Sequence, residues 1–171
     1  TSAFLPDGFD FVPFSNSGDG DGYDSDPTDS SAATDSHGTH VGTTIAALND
    51  GNNINGFGIG VVPIRVLGAS GSGFVSDITQ GLLYAGGLPN GSGVTYSGTT
   101  PIKVVNMSLG STGSACSGGY QGAINDLYDR NISIVSSSGN SGVEDYGSPS
   151  SCNNGMTVSY THLRAHETSS D

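Results

Sequence analysis

Basic residues are scarce in this chain. Its 171 residues hold four lysines and arginines against sixteen aspartates and glutamates, a formal net charge of −12 at pH 7. A surface of that sign repels phosphate backbones and anionic headgroups, so neither nucleic acid nor a membrane surface is an expected partner. Long apolar runs are missing as well. No stretch of about 18 apolar residues occurs, and no basic segment followed by an apolar one opens the sequence, so neither a transmembrane helix nor a signal peptide is expected within it. Cysteine is limited to Cys116 and Cys152, which allow a single pairing. A bridge between them would suit an oxidising compartment, and two unpaired buried thiols are the alternative.

Glycine is abundant, at 28 residues, beside a hydrophobic fraction of 33%. That balance describes a loop-rich globular chain and not a coiled coil or a disordered tail, and the length suffices for one domain with a core. The acidic charge is uneven. Residues 1–35 carry eight aspartates and no lysine or arginine, and Asp19, Asp21, Asp24, Asp26 and Asp29 recur at alternate or near-alternate positions on a glycine-rich loop. Carboxylates at that density repel one another unless a cation intervenes, which makes a structural calcium ion a natural ligand; a solvated acidic loop is the alternative. The order is not that of an EF-hand, because no bidentate glutamate closes it.

From residue 59 onward a regular alternation begins. Residues 61–67 read as a buried strand ended by Gly68, and residues 75–86 as a helix with Val75, Ile78, Leu82 and Leu83 inward. Residues 102–107 read as a second strand, 120–128 as a helix with Ile124 and Leu127 inward, and 132–135 as a third strand. Strands alternating with helices predict an α/β fold with right-handed crossovers and a parallel sheet covered on both faces. In such sheets active groups gather at the carboxyl ends of the strands. Three glycine-rich loops fall there, at residues 68–73, 108–110 and 136–142. Their backbone groups suit an extended peptide pairing as an added strand, with a plain turn as the alternative for each. The third loop carries Asn140, a suitable donor to a developing oxyanion.

One further stretch bears chemistry: Asp35-Ser36-His37-Gly38-Thr39-His40-Val41. Asp35 or Ser36 can cap a helix in which Val41, Ile45 and Leu48 form a buried stripe. His37 then lies in the first turn, where the helix dipole disfavours imidazolium and keeps the neutral ring that a general base needs. Three readings stay open at this point: a catalytic base, a hydrogen-bonded core pair, and half of a metal site. The missing glutamate between the histidines argues against a zinc protease.

Taken in order, Asp35 to Val41, Val66-Leu67-Gly68-Ala69 with Gly71-Ser72-Gly73, Asn106-Met107-Ser108-Leu109-Gly110 and Ser138-Gly139-Asn140 resemble the subtilisin-like serine proteases, or subtilases, of secreted bacterial type. The resemblance covers residues from about 5 to 157. It implies a three-layer α/β/α sandwich with a mainly parallel sheet, incomplete at both ends. It also implies a secreted, extracellular endopeptidase acting on proteins or peptides and released from a propeptide. His37 would be the general base, His40 its structural neighbour and Asn140 the oxyanion donor. Gly71, Ser72 and Gly73 on one side, and Ser108, Leu109 and Gly110 on the other, would pair with substrate as strands. Ser137, Ser138 and Gly139 would line the pocket for the side chain before the cut. The resemblance strengthens calcium on the acidic loop, adds residues 49–56 as a weaker calcium candidate, and matches Cys116 and Cys152 to a cysteine pair of relatives.

Departures matter equally. Relatives follow the motif's valine with Ala-Gly, where this chain has Gly42-Thr43, a change expected to shift helix packing slightly. The family's Asp-(Thr/Ser)-Gly and Gly-Thr-Ser-Met-Ala motifs do not occur in the 171 residues, which leaves His37 as the one triad member. The chain as written is therefore expected to lack peptidase activity, and a non-catalytic, calcium-binding subtilase-like domain is the alternative reading. Resemblance stops near Thr157. Residues 158–168 read, in one frame, as a translated transposon-type sequencing adapter, so residues 158–171 are expected to be a non-native tail, with a divergent natural terminus as the alternative. On that reading His162 and His166 are no metal pair. Recovering the tail from the source locus by independent long-read sequencing would refute the adapter origin.

Overall fold

Four consecutive buried residues, Phe9 to Val12, seed the first of two units into which the chain divides, Thr1–Thr99 and Thr100–Asp171. The structure is a computed structural model that describes residues 3–28, 36–51, 55–113, 115–140 and 147–159.

In the first unit β1 (Phe9–Asp10) pairs in parallel with β2 (Ile64–Arg65), Phe9 opposite Ile64 and Asp10 opposite Arg65. A parallel bridge from Phe4 to Val61 extends the pairing backward. Among the described residues the unit also holds α1 (Phe14–Ser17), α2 (His37–Ala46) and α3 (Val75–Ala85). The core is aromatic. Phe9 and Phe11 lie 4.8 Å apart by ring centroid, and Phe11 and Tyr84 5.6 Å apart, tilted as ring quadrupoles prefer.

Helix α3 approaches the strand closely because position 81 is glycine: a Cβ there would stand 2.7 Å from Val66 Cγ1 and 3.1 Å from Ile64 Cγ2. Its buried face is Ile78, Gly81, Leu82 and Ala85, with Leu83 half-buried and Val75 44% exposed. Val75 therefore does not face inward as expected. Helical side chains lean toward the N-terminus, so that of the first residue projects past the packed turns.

Helix α2 begins at His37, but the Ser36 side chain makes no capping bond; its φ of −90° and ψ of 38° lie outside the extended region a cap uses. The Ser36 carbonyl instead accepts the His40 N–H at 2.8 Å, and Asp35 lies outside the described residues. Ala46 is the buried residue of α2, while Val41, Ile45 and Leu48 are half-buried. Leu48 lies beyond the end of α2, after Ala47 turns out of the helix with a ψ of 135°, so of the expected stripe only Val41 and Ile45 share its face, and spacing does not say how much covers them. The departure at Gly42 has a local partner, since a Cβ there would come 3.0 Å from the Phe4 ring.

The second unit holds β3 (Val104–Met107), α4 (Gly118–Tyr128), β4 (Ser133–Ser137) and β5 (Met156–Val158), with the strands parallel in the order β3-β4-β5. Helix α4 starts two residues before the expected Tyr120 because the Ser117 hydroxyl caps it, accepting the Tyr120 N–H at 3.3 Å. Ile124 and Leu127 face inward as expected, at 1% and 0% exposure. Cys116 and Cys152 form a disulfide.

The first unit is tied by one cation. Arg65 is the only lysine or arginine in the first 99 residues. It is buried, and its guanidinium donates to Asp10 Oδ2, Asp19 Oδ2 and the Ser17 carbonyl. The other Asp10 oxygen accepts the Val12 N–H at 2.6 Å. Burial pushes the Asp10 carboxyl up, against the pull of Val12 and Arg65. For Asp19, burial also pushes up, but hydrogen bonds from Ser17, Arg65 and Asp21 outweigh it and hold the group well below the usual carboxylate range. Replacing Asp10 leaves a buried guanidinium short of one counter-charge. Asp10→Ala is expected to lower unfolding free energy by roughly 3 kcal/mol in urea melts at pH 7; a loss under about 1 kcal/mol would show that Asp19 and Ser17 suffice.

Candidate active site

His37, the first residue of α2, is exposed, and so is His40 one turn later, whose carbonyl accepts the Thr44 hydroxyl at 2.9 Å. Among the described residues no third histidine, cysteine or carboxylate joins them as a metal set. The loop after β2 closes on itself. Gly68 N–H donates to the Ser72 carbonyl and Gly71 N–H to the Gly68 carbonyl, each at 2.9 Å, and Gly71 has a φ of 73°, which favours glycine. Gly71, Ser72 and Gly73 are all exposed at the carboxyl end of the strand.

The acidic loop is held at several points. Tyr23 donates its phenol to Asp77 on α3 at 2.8 Å, the Asp10 N–H donates to the Asp24 carbonyl at 2.8 Å, and the Ser17 hydroxyl donates to the Asp21 carbonyl at 2.7 Å. Asp24 accepts the Asp26 N–H at 2.7 Å, and Asp26 accepts the Thr28 N–H at 3.0 Å. The Asp21 carboxyl is raised, first by its contact with Asp19, then by desolvation and the Asp24 charge. Carboxylates crowded this closely have the donor chemistry of a hard-cation site. Among the described residues, however, no three histidine, cysteine, aspartate or glutamate side chains stand close enough to hold a metal, and Asp29 lies outside them. Asp19 is also already engaged by Arg65. Of residues 49–56, positions 52–54 lie outside the described residues.

In the second unit the register Met107 opposite Ser136 sets two strand ends side by side. Ser108, Leu109 and Gly110 follow β3, and Ser138, Gly139 and Asn140 follow Ser137 at the end of β4. The Ser137 hydroxyl donates to the Leu109 carbonyl at 3.4 Å, and Asn106 Nδ2 donates to the Ser108 hydroxyl at 3.0 Å. Ser138 N–H pairs with the Val158 carbonyl at 2.8 Å, Gly139 takes a φ of 89°, and Asn140 is exposed. Ser141 and Gly142 lie outside the described residues. The fold thus joins the second and third glycine-rich loops at the carboxyl end of one parallel sheet.

Sequence patterns did not reveal Ser148. It is 4% exposed; its carbonyl accepts the Ser111 N–H at 2.9 Å and its hydroxyl accepts the Ser117 N–H at 3.2 Å. It therefore ties the segment after Gly110 to the start of α4, beside the disulfide whose Cα atoms are 4.9 Å apart. Its nearness to Cys152 was the one available signal.

Comparison with known proteins bears on the family and the fold. The model of the subtilase family matches residues 5–170. The Extracellular protease of Xanthomonas campestris is 37% identical over 90% of this chain and 29% of its own length. Subtilisin Savinase of Lederbergia lenta is 40% identical over 73% of this chain and 42% of its own length. A solved protease structure from Pseudoalteromonas arctica superposes with a TM-score of 0.79 at 34% identity, covering 91% of this chain and 50% of that one. The chain accordingly spans half or less of the length of these relatives. The family match also runs past Thr157 into the segment expected to be non-native, where Val158 lies in β5.

The Tyr23 contact sets a pH response. Burial and then the Asp77 hydrogen bond push its phenol up to about 12 from an ordinary 10.0. A raised tyrosine contributes stability that is complete below the unfolded value and is lost as pH rises through the folded one. In a tyrosinate absorbance titration Tyr23 should ionise near pH 12 together with Tyr120, which burial also pushes up to about 12, and Tyr23→Phe should cut that late component by one tyrosine and lessen the loss of stability between about pH 10 and 12. An unchanged late component in the variant would mean the bond to Asp77 is not made.

Proposed function

The chain belongs to the subtilase family, and on that premise we propose that the protein is an extracellular serine endopeptidase that hydrolyses peptide bonds of proteins. The carrying observation is the pairing of Leu109 and Ser137 at the carboxyl ends of parallel strands, with Asn140 just beyond. That arrangement offers a substrate backbone its acceptors and a developing oxyanion its donor.

In this reading the family's serine attacks the peptide carbonyl, and its proton passes to His37, which returns it to the leaving amine. The family's aspartate holds the imidazole, and the Asn140 amide donates to the oxyanion as charge develops there. Gly71, Ser72 and Gly73 pair with one side of the substrate and Ser108, Leu109 and Gly110 with the other; Ser137, Ser138 and Gly139 border the pocket before the cut. The exposure of His37 and of residues 71–73 supports access by a polypeptide. Secretion is supported by relatives named as extracellular proteases and by the disulfide; a cleaved propeptide rests on the resemblance alone. Calcium on the acidic loop, with Asp19, Asp21, Asp24, Asp26 and Asp29 as its candidate ligands, rests on the density of carboxylates and on the resemblance; bound there it would neutralise mutual repulsion and stiffen the loop.

Since the sequence contains neither the serine nor the aspartate motif, the chain as written should be inert. A fluorophosphonate probe should leave the 171-residue chain unlabelled, label the complete gene product, and react several orders of magnitude more slowly with its His37→Ala variant. A covalent adduct on the 171-residue chain, or undiminished labelling of the variant, would overturn the assignment. For the loop, millimolar calcium should slow proteolytic nicking within residues 19–29 and chelation should restore it; equal cleavage in both conditions would reject calcium.

A further inference from the structure

Helix α1 touches the candidate substrate loop at three points, all through Asn16. Its backbone carbonyl accepts the Ala69 N–H at 3.2 Å, and its Nδ2 donates to the Ser72 carbonyl at 3.0 Å. Gly68 packs flat against it: a Cβ at position 68 would lie 2.6 Å from Asn16 Cγ and Nδ2 and closer still to its carbonyl oxygen. The Ser72 carbonyl thus receives two donors, Asn16 Nδ2 and Gly68 N–H, which sets the plane of the peptide between Ser72 and Gly73. The next residue along α1, Ser17, gives its carbonyl to buried Arg65, so Asn16 stands on an anchored element.

We propose that Asn16 is a positioning residue for extended substrates. Its amide orients the backbone of Gly71, Ser72 and Gly73 so that those residues can accept a peptide as an added strand. A peptide bonding to a loop that is already oriented loses less conformational entropy than one that must order the loop first. The proposal rests on the reading of residues 71–73 as a substrate-pairing strand. Asn16 touches no reacting atom, and no pattern in the sequence singles it out, since its partners lie 52 to 56 positions away.

The test uses the 171-residue chain with Asn16→Asp, which keeps size and backbone but cannot donate, and Asn16→Ala. In both variants the Gly68 amide should exchange with solvent about tenfold faster, because the Ser72 carbonyl has lost its second donor. Titration with N-acetyl-tetra-alanine amide, followed by amide NMR shifts, should move Gly71 to Gly73 in the wild type. In the variants the dissociation constant read at those amides should rise about threefold to tenfold, while shifts at Ser108 to Gly110 persist. Loss of shifts at both segments would indicate general unfolding and overturn the proposal. Equal affinity at residues 71–73, or unchanged Gly68 exchange, would overturn the role of Asn16 alone. No shift at residues 71–73 in the wild type would overturn the substrate-strand reading, and the proposal with it.

Discussion

A single buried guanidinium must satisfy two carboxylates and a carbonyl in the first unit, and much of that unit is arranged around this demand. An ion taken from water is tolerated only where its hydrogen bonds are met. Asp10 meets Arg65 because the two stand opposite each other in the β1-β2 register, Asp19 because the acidic loop folds back, and Ser17 because α1 ends there. Moving any of these elements strands a charge. The aromatic cluster of Phe9, Phe11 and Tyr84 contributes apolar burial without direction, whereas the guanidinium fork has a geometry and so specifies which arrangement is reached. The same clamp holds the residue next to Asn16, and through it the loop at residues 68–73.

The second unit reaches its order by other means. Parallel register gathers strand ends at one edge, and α4, capped by Ser117, supplies the crossover that parallel strands require. The disulfide, with a sequence separation of 36, removes about 4 kcal/mol of chain freedom from the unfolded ensemble in the loop-entropy account. It closes beside Ser148, whose bonds to Ser111 and Ser117 steady the backbone leading away from Gly110. Cross-linking and a buried hydroxyl here do what the ion cluster does in the first unit. Each leaves exposed backbone at the end of a strand while fixing its root, which is the requirement for binding a polypeptide by main-chain pairing.

The acidic loop shows two answers to one problem. Asp19 is neutralised internally by Arg65, while the Asp21 carboxyl is raised by its contact with Asp19, by desolvation and by the Asp24 charge. Turn hydrogen bonds at Asp24 and Asp26 and the Tyr23 tether to Asp77 hold the loop's course without relieving that repulsion. That residual charge is what the proposed calcium ion would neutralise.

By itself the sequence determined the α/β class, the helices α3 and α4 with Ile124 and Leu127 inward, the strands near Val104 and Ser133, and the motifs that mark the family; it named the one pairing open to the cysteines but not that the bridge forms. These are local or periodic signals: repeats of apolar spacing, glycine punctuation, contiguous motif residues. Only the tertiary structure decided the rest. Elements of two to four residues, β1, α1 and β5, are too short to leave a period, and the exposed Val75 and the unused Ser36 cap depend on what packs at a helix start. Arg65 with Asp10 and Asp19, Ser148 with Ser111 and Ser117, and Asn16 with Ser72 join positions 31 to 56 apart. Such bonds repeat nowhere along the chain, and their partners are chosen by which groups folding leaves without water.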